Sequence, residues 1–185
     1  MTKLVFYSMM FMPILLFTNS KEMGNNKAIF VDTDKIIQQN VSYQLPNENV
    51  LYQLKMKNGK QVTICMDKKE QYVVYRYGSK SKIELEYPAE KDASSFKKFE
   101  YSEYERGGGV QNAAMSLYYL AFTNKGIKYV VYDTYFSESD EANVGIMVLD
   151  ESKNKETILK GLEKSTKGSL TKLKGKVKEG DELYD

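Results

Sequence analysis

A chain of 185 residues, 42% hydrophobic and 28% charged, is long enough to bury a core and short enough for one domain. Its 27 basic and 25 acidic residues leave a net charge of +2, which supplies no electrostatic footprint for nucleic acid. The absence of histidine, together with a single cysteine, excludes Ser-His-Asp and Cys-His catalysis and His-ligated metal sites within this chain.

Residues 1–20 read as an address. Lys3 precedes the apolar run Leu4–Phe17, and Thr18 and Ser20 put small residues at the −3 and −1 positions of a cut after Ser20. This is the pattern of a secretory signal peptide. The run is shorter than the roughly 20 residues a membrane-spanning helix needs, so no span is expected after cleavage. No cysteine lies near the cut to carry a lipid. The expected product, residues 21–185, is periplasmic or secreted. It forms a single β-rich domain, with a lysine-rich tail from about residue 153. Residues 28–40 combine a strand-like AIFVD with a helix-like DKIIQQN.

From Val50 the apolar period is two. Val50, Tyr52, Leu54 and Met56 share one predicted face, and Asn58-Gly59 predicts a two-residue type I′ hairpin turn. The return strand Lys60–Met66 contains Cys65 in the run VTICM, which reads as a buried small hydrophobe. Gln71–Tyr77 is rich in Tyr and Val. Lys82–Tyr87 alternates cleanly until Pro88 stops the ladder. Phe96–Tyr104 fits neither the strand nor the helix period. Met115–Thr123 reads as a strand buried on both faces, followed by a three-residue loop Asn124-Lys125-Gly126 and a partner strand Ile127–Phe136. Ser137–Asn143 reads as an acidic loop and Val144–Leu149 as a further strand. Two weaker strands are expected near Thr157–Leu159 and Leu170–Leu173. About eight or nine short strands with frequent turn signals predict an all-β, mainly antiparallel sandwich or barrel.

Fifteen tyrosines are present, eleven of them between Tyr72 and Tyr135. Packing on sheet faces accounts for most of them. Consecutive residues of a strand point to opposite faces, so one of Tyr118 and Tyr119 must leave the core face. Tyrosines around a glycine-rich loop suit protein recognition, because glycine permits close approach and tyrosine supplies rigid contact area. The expected binding surface is therefore the loop Gly107, Gly108 and Gly109 with Tyr101, Tyr104 and Tyr118. Glu84 with Glu86, and Glu100, Glu103 and Glu105, invite a glycosidase reading, but alternation with lysine places them on a solvated face. The acidic loop 137–143, with Asp133, offers oxygen ligands to calcium, yet its spacing matches no EF-hand. No cofactor and no resident metal are expected.

The stretches 64–88 and 106–135, followed by VGIMV, resemble an uncharacterised family of small secreted β-rich proteins of Gram-negative bacteria. That resemblance implies an exported β-rich domain and carries no activity or catalytic residue. In size, export and strand content the chain also resembles periplasmic inhibitor and immunity proteins. The Ser-Gly-x-x-Tyr loop of lysozyme inhibitors is absent. The expected function is non-enzymatic binding of a protein partner in the envelope, as an inhibitor or immunity protein. Alternatives are an envelope structural or accessory role and, further back, a carboxylate-based glycan hydrolase. Oligomeric state is left open.

Overall fold

The computed structural model describes residues 42–110 and 112–184. The signal-peptide segment 1–20 and the ambiguous segment 28–40 lie outside the described residues. Nine strands of six to ten residues form two sheets, with two short additions from the tail. One sheet has β1 (Glu48–Lys55), β2 (Gln61–Asp67), β3 (Val73–Ser79) and β4 (Lys82–Tyr87) side by side and antiparallel. The other has β5 (Glu100–Arg106), β6 (Met115–Asn124), β7 (Ile127–Phe136), β8 (Glu141–Asp150) and β9 (Lys155–Lys160) in the same up-and-down order. The two-residue strand β10 (Lys167–Gly168) completes the first sheet beside β1. Its counterpart β11 (Lys178–Glu179) joins β5 in parallel. The sheets pack as a sandwich, and one core cluster draws residues from both, among them Tyr52, Ile64 and Tyr75 on one side and Leu120, Phe122 and Val131 on the other.

Side-chain alternation sets the faces, and the exceptions have local causes. The expected Val50–Tyr52–Leu54–Met56 face is corrected by a β-bulge at Leu51: both Leu51 and Tyr52 enter the core, and Val50 turns outward onto Cys65, Tyr72 and Val74. The two hairpin turns also exchange types. Lys57-Asn58-Gly59 is a three-residue loop, closed by Gly59 N–H to Met56 O at 3.0 Å, with Gly59 alone at positive φ (+81°). Asn124 pairs with Ile127, so Lys125 (φ 52°) and Gly126 (φ 78°) make the two-residue turn with both centres left-handed. The aperiodic 96–104 stretch resolves into a 3-10 turn (Ala93–Lys98) and then β5, which together bring Phe99 and Tyr101 into the core.

The tail departs most from expectation. Thr157–Leu159 lies in β9 as expected, but Leu170–Leu173 is a 3-10 helix instead of a strand. Ser169 caps it by accepting from the Thr171 N–H, and the three-residue period eclipses Leu170 and Leu173, both buried between the sheets. The lysines around them stay outside. β6 is buried on both faces, as its apolar run implies. Outside the sandwich, Leu117, Tyr119 and Ala121 pack with Val130, and Tyr184 stands 5.3 Å from the Tyr119 ring, with Lys128 over its own ring.

The outer face of the first sheet holds a buried ion pair. The Arg76 Nη1 and Nη2 atoms donate to the two Glu48 carboxylate oxygens at 2.6 and 2.8 Å, and Nε donates to Glu86 at 2.7 Å. The side chains of Arg76 and Glu48 are 1% and 0% exposed. Burial alone would raise the Glu48 pKa, but hydrogen bonds from Arg76, the Leu45 N–H and the Tyr72 hydroxyl hold it below the ordinary value. Glu48 therefore contributes stability above its unfolded pKa, about 4.3, that is lost as pH falls through its folded value. Glu48→Ala strands the Arg76 charge, and urea titration at pH 7 is expected to show a loss of about 3–5 kcal/mol. Cys65 lies next to this pair, fully buried, and burial pushes its thiol pKa up to about 12. A thiol reagent at pH 8 is expected to leave the folded protein unlabelled and to react only on unfolding; rapid labelling would contradict this packing.

Candidate functional site

The long strands of the six-stranded sheet bring inward positions into register across the core. Tyr101, Leu120, Val131 and Ile146 are core residues. Two residues along, on the same inward face, the register aligns Glu103, Tyr118, Asp133 and Val144; a further step aligns Glu105, Ser116, Tyr135 and Ala142. The apolar interior thus gives way to carboxylates and phenols at one end of the sheet.

These groups are bonded to one another. The Tyr101 hydroxyl donates to Glu103 at 2.6 Å, Tyr118 donates to Glu105, and Tyr135 donates to Asp140 at 3.2 Å. Lys174, just past the 3-10 helix of the tail, pairs with Glu103. The Lys174 and Tyr101 hydrogen bonds hold the Glu103 carboxyl below its usual range. Burial, reinforced by the neighbouring glutamates, raises the Tyr101 and Tyr118 hydroxyls, so both stay protonated donors.

Asp133 behaves differently. Burial raises its pKa, a hydrogen bond from Tyr52 offsets part of that rise, the Glu163 charge adds to it, and no lysine or arginine among the described residues pairs with it. Opposite it lies the Tyr52 hydroxyl, on a residue with no exposed surface. The hydroxyls of Tyr52 and Thr166 are both buried, with no partner in full hydrogen-bond geometry. Asp133 and Thr166 both lie within weak hydrogen-bonding reach of the Tyr52 hydroxyl, and burial together with the Asp133 charge raises its pKa.

The six residues expected to form a binding surface are divided by the sheet. Tyr101 is 3% exposed and belongs to the core, with only its hydroxyl reaching the polar end, where Tyr118 joins it. Tyr104 lies on the opposite face, 40% exposed and paired with Leu117. Gly107, Gly108 and Gly109 form the loop after β5, where Gly109 N–H bonds to Asn112 O at 2.9 Å. The loop lines a shallow cleft of about 660 Å³ with Arg106, Val110 and Glu138. Glycine at 108 leaves room for Ala114, whose Cβ would stand 3.3 Å from an added one.

The other candidate chemistries disperse. Glu84 pairs with Lys60 and Glu86 with both Arg76 and Lys91, and these partners lower Glu86 against the penalty of burial, opposite to the shift a catalytic acid requires. The acidic loop contracts to residues 137–140 because Glu141 and Asn143 belong to β8. Among the described residues no three acidic side chains, cysteines or histidines gather as metal ligands. No protein-family model, curated protein or solved structure matches the chain.

Asp133, Tyr52 and Thr166 are not singled out together by the sequence. The available signal is a carboxylate at an inward position of the alternation Val131–Asp133–Tyr135. The raised Asp133 pKa fixes the sign of its effect: its stability contribution is complete below the unfolded value of about 3.9 and is lost as pH rises through the folded value. Asp133→Asn is expected to stabilise the protein at pH 7 by about 1 kcal/mol. The difference from wild type should vanish towards pH 3; parallel melting curves across pH 3–8 would refute the uncompensated charge.

Proposed function

We propose that this chain is an exported, non-enzymatic binding protein that takes a basic segment of a protein partner on the polar end of its six-stranded sheet. The observation that supports this reading is the row of Glu103, Glu105 and Asp133 with Tyr118, on one face of a protein whose net charge is +2. Neighbouring strands fix the spacing of these groups, so recognition needs little reorganisation. Carboxylates with phenol rings between them attract lysine and arginine through both charge and the ring face. Export rests on the signal pattern of residues 1–20. An inhibitor or immunity protein is the class of binder that these features suit best, with the partner in the envelope.

The test compares wild type with Glu105→Gln/Tyr118→Phe, which keeps both side-chain shapes. Both proteins are immobilised on resin and exposed to native envelope extract. A partner held by wild type, released by about 0.5 M salt and held at least tenfold more weakly by the variant is the expected result, since truncating a central anchor costs more than about 1 kcal/mol. Equal retention by both proteins, or no retained protein, defeats the proposal. Melting temperatures of the two proteins should agree within about 3 °C, which corresponds to less than about 1 kcal/mol of stability.

A further inference from the structure

We infer that Lys55, Lys57, Lys160 and Leu162, with Lys80 and Lys164 beside them, form a ridge that seats the protein on an anionic lipid surface. This goes beyond the binding reading above: the ridge lies at the end of β1 and includes none of the residues of the proposed partner site. Met56 pairs with Gly161 in an isolated antiparallel bridge. The Lys57 N–H donates to Lys160 O at 2.9 Å, and the Leu162 N–H donates to Lys55 O at 2.8 Å. Met56 is buried, and a side chain at 161 would collide with Leu54, so this central pair points inward. Alternation then turns Lys55, Lys57, Lys160 and Leu162 outward, and all four are exposed.

Lys57 thus stands directly opposite Lys160, where like charges repel. Among the described residues, none of Lys55, Lys57, Lys80, Lys160 and Lys164 forms a salt bridge. Two open clefts flank the ridge. Lys55 and Lys80 line one of about 680 Å³, together with Lys60, which Glu84 neutralises. Lys57, Lys160 and Lys164 line the other, of about 500 Å³, where Glu141 and Glu163 are the acidic residues. Leu162 is 45% exposed and lines both clefts. A lone exposed leucine is ordinary. One set among five ammonium groups without partners has the make-up of an interfacial anchor, in which cations meet headgroup phosphates and the apolar side chain enters the upper acyl region.

Donor geometry favours a lipid surface over one small anion. A phosphate cradle needs free backbone N–H groups converging on a point. Here the N–H groups of Lys57, Gly161 and Leu162 are all taken, by the carbonyls of Lys160, Val144 and Lys55. The remaining donors are flexible ammonium groups spread along the ridge, each able to reach a separate phosphate. The ridge itself is firmly held. Ser165, in the 3-10 turn after Leu162, accepts from the Lys55 N–H at 3.0 Å and donates to the Leu162 carbonyl at 2.6 Å.

The full chain is sedimented at pH 7 and low salt with phosphatidylcholine vesicles, with and without about one part in three of phosphatidylglycerol. The apolar run Leu4–Phe17 binds both kinds alike, so the ridge is read from the excess on the anionic vesicles. At least about tenfold stronger partition into those vesicles is expected, and about 0.5 M salt should remove the excess. Lys57→Gln/Lys160→Gln should lower the anionic partition about tenfold. Lys97→Gln/Lys98→Gln, which removes the same charge from the 3-10 turn before β5, should change it less than about twofold. Leu162→Ser keeps the charge and should weaken it by at least about threefold. The lysine and leucine variants read separate contacts, so the second keeps the test open if the first folds poorly. Equal binding to both kinds of vesicle, or an equal loss from both lysine pairs, overturns the inference. An excess that Leu162→Ser leaves unchanged overturns the lipid assignment in favour of a soluble polyanion.

Discussion

The bidentate pair between Arg76 and Glu48 constrains the whole first sheet. A guanidinium on the outer face of β3 would ordinarily remain in water. Here the segment running into β1 crosses over it: the Tyr43 carbonyl accepts from Arg76 Nη1 at 3.0 Å and the Tyr43 hydroxyl donates to Ser79 O at 2.8 Å. Removing two charges from water costs several kcal/mol each, and the arrangement is tolerable only when the fork is well matched by acceptors. Glu48, Glu86 and the Tyr43 carbonyl supply them. The ion pair is weak evidence for high stability and strong evidence for a unique register, because a one-residue slip of β1 would bury an unmatched charge.

With that face sealed, the polar end of the second sheet becomes the place where the interior is electrostatically unfinished. Glu48 is a fully buried carboxylate and Asp133 a half-buried one, and their pKa values move in opposite directions. Hydrogen bonds and a cation lower one. Burial and a like charge raise the other. The same kind of group is a fixed structural anion in one setting and, held only by the Tyr52 hydroxyl, a weaker acid in the other.

Much of the architecture is legible in the sequence. Period-two alternation locates the strands of both sheets, and the apolar run of β6 signals burial on its two faces. Turn residues locate hairpins but not their loop lengths: Asn58-Gly59 and Lys125-Gly126 both carry a left-handed glycine, and the pairing register decides how many residues precede it. Leu170 and Leu173 sit three apart, a spacing that faces opposite ways on a strand and one way on a 3-10 turn, so the short strand expected there misreads the period. The site is less legible still. Tyr101 and Tyr104 sit three apart on one strand and therefore face opposite ways, which only the location of β5 reveals. The relation between Tyr52 and Asp133 joins strands of different sheets, and no local pattern encodes it.

The tail's two short strands carry a consequence for biosynthesis. β10 covers part of one edge of the first sheet beside β1, and β11 part of one edge of the second beside β5, so residues 167–179 contribute to both sheets. Until residues 167–179 emerge, each sheet presents a row of unsatisfied amides to any neighbouring chain. These two edges therefore stay uncovered until residues 167–179 have been made, and nascent chains crowded on one message would meet with adhesive borders exposed. Such a delay carries the risk of clumping unless a holdase shields those borders.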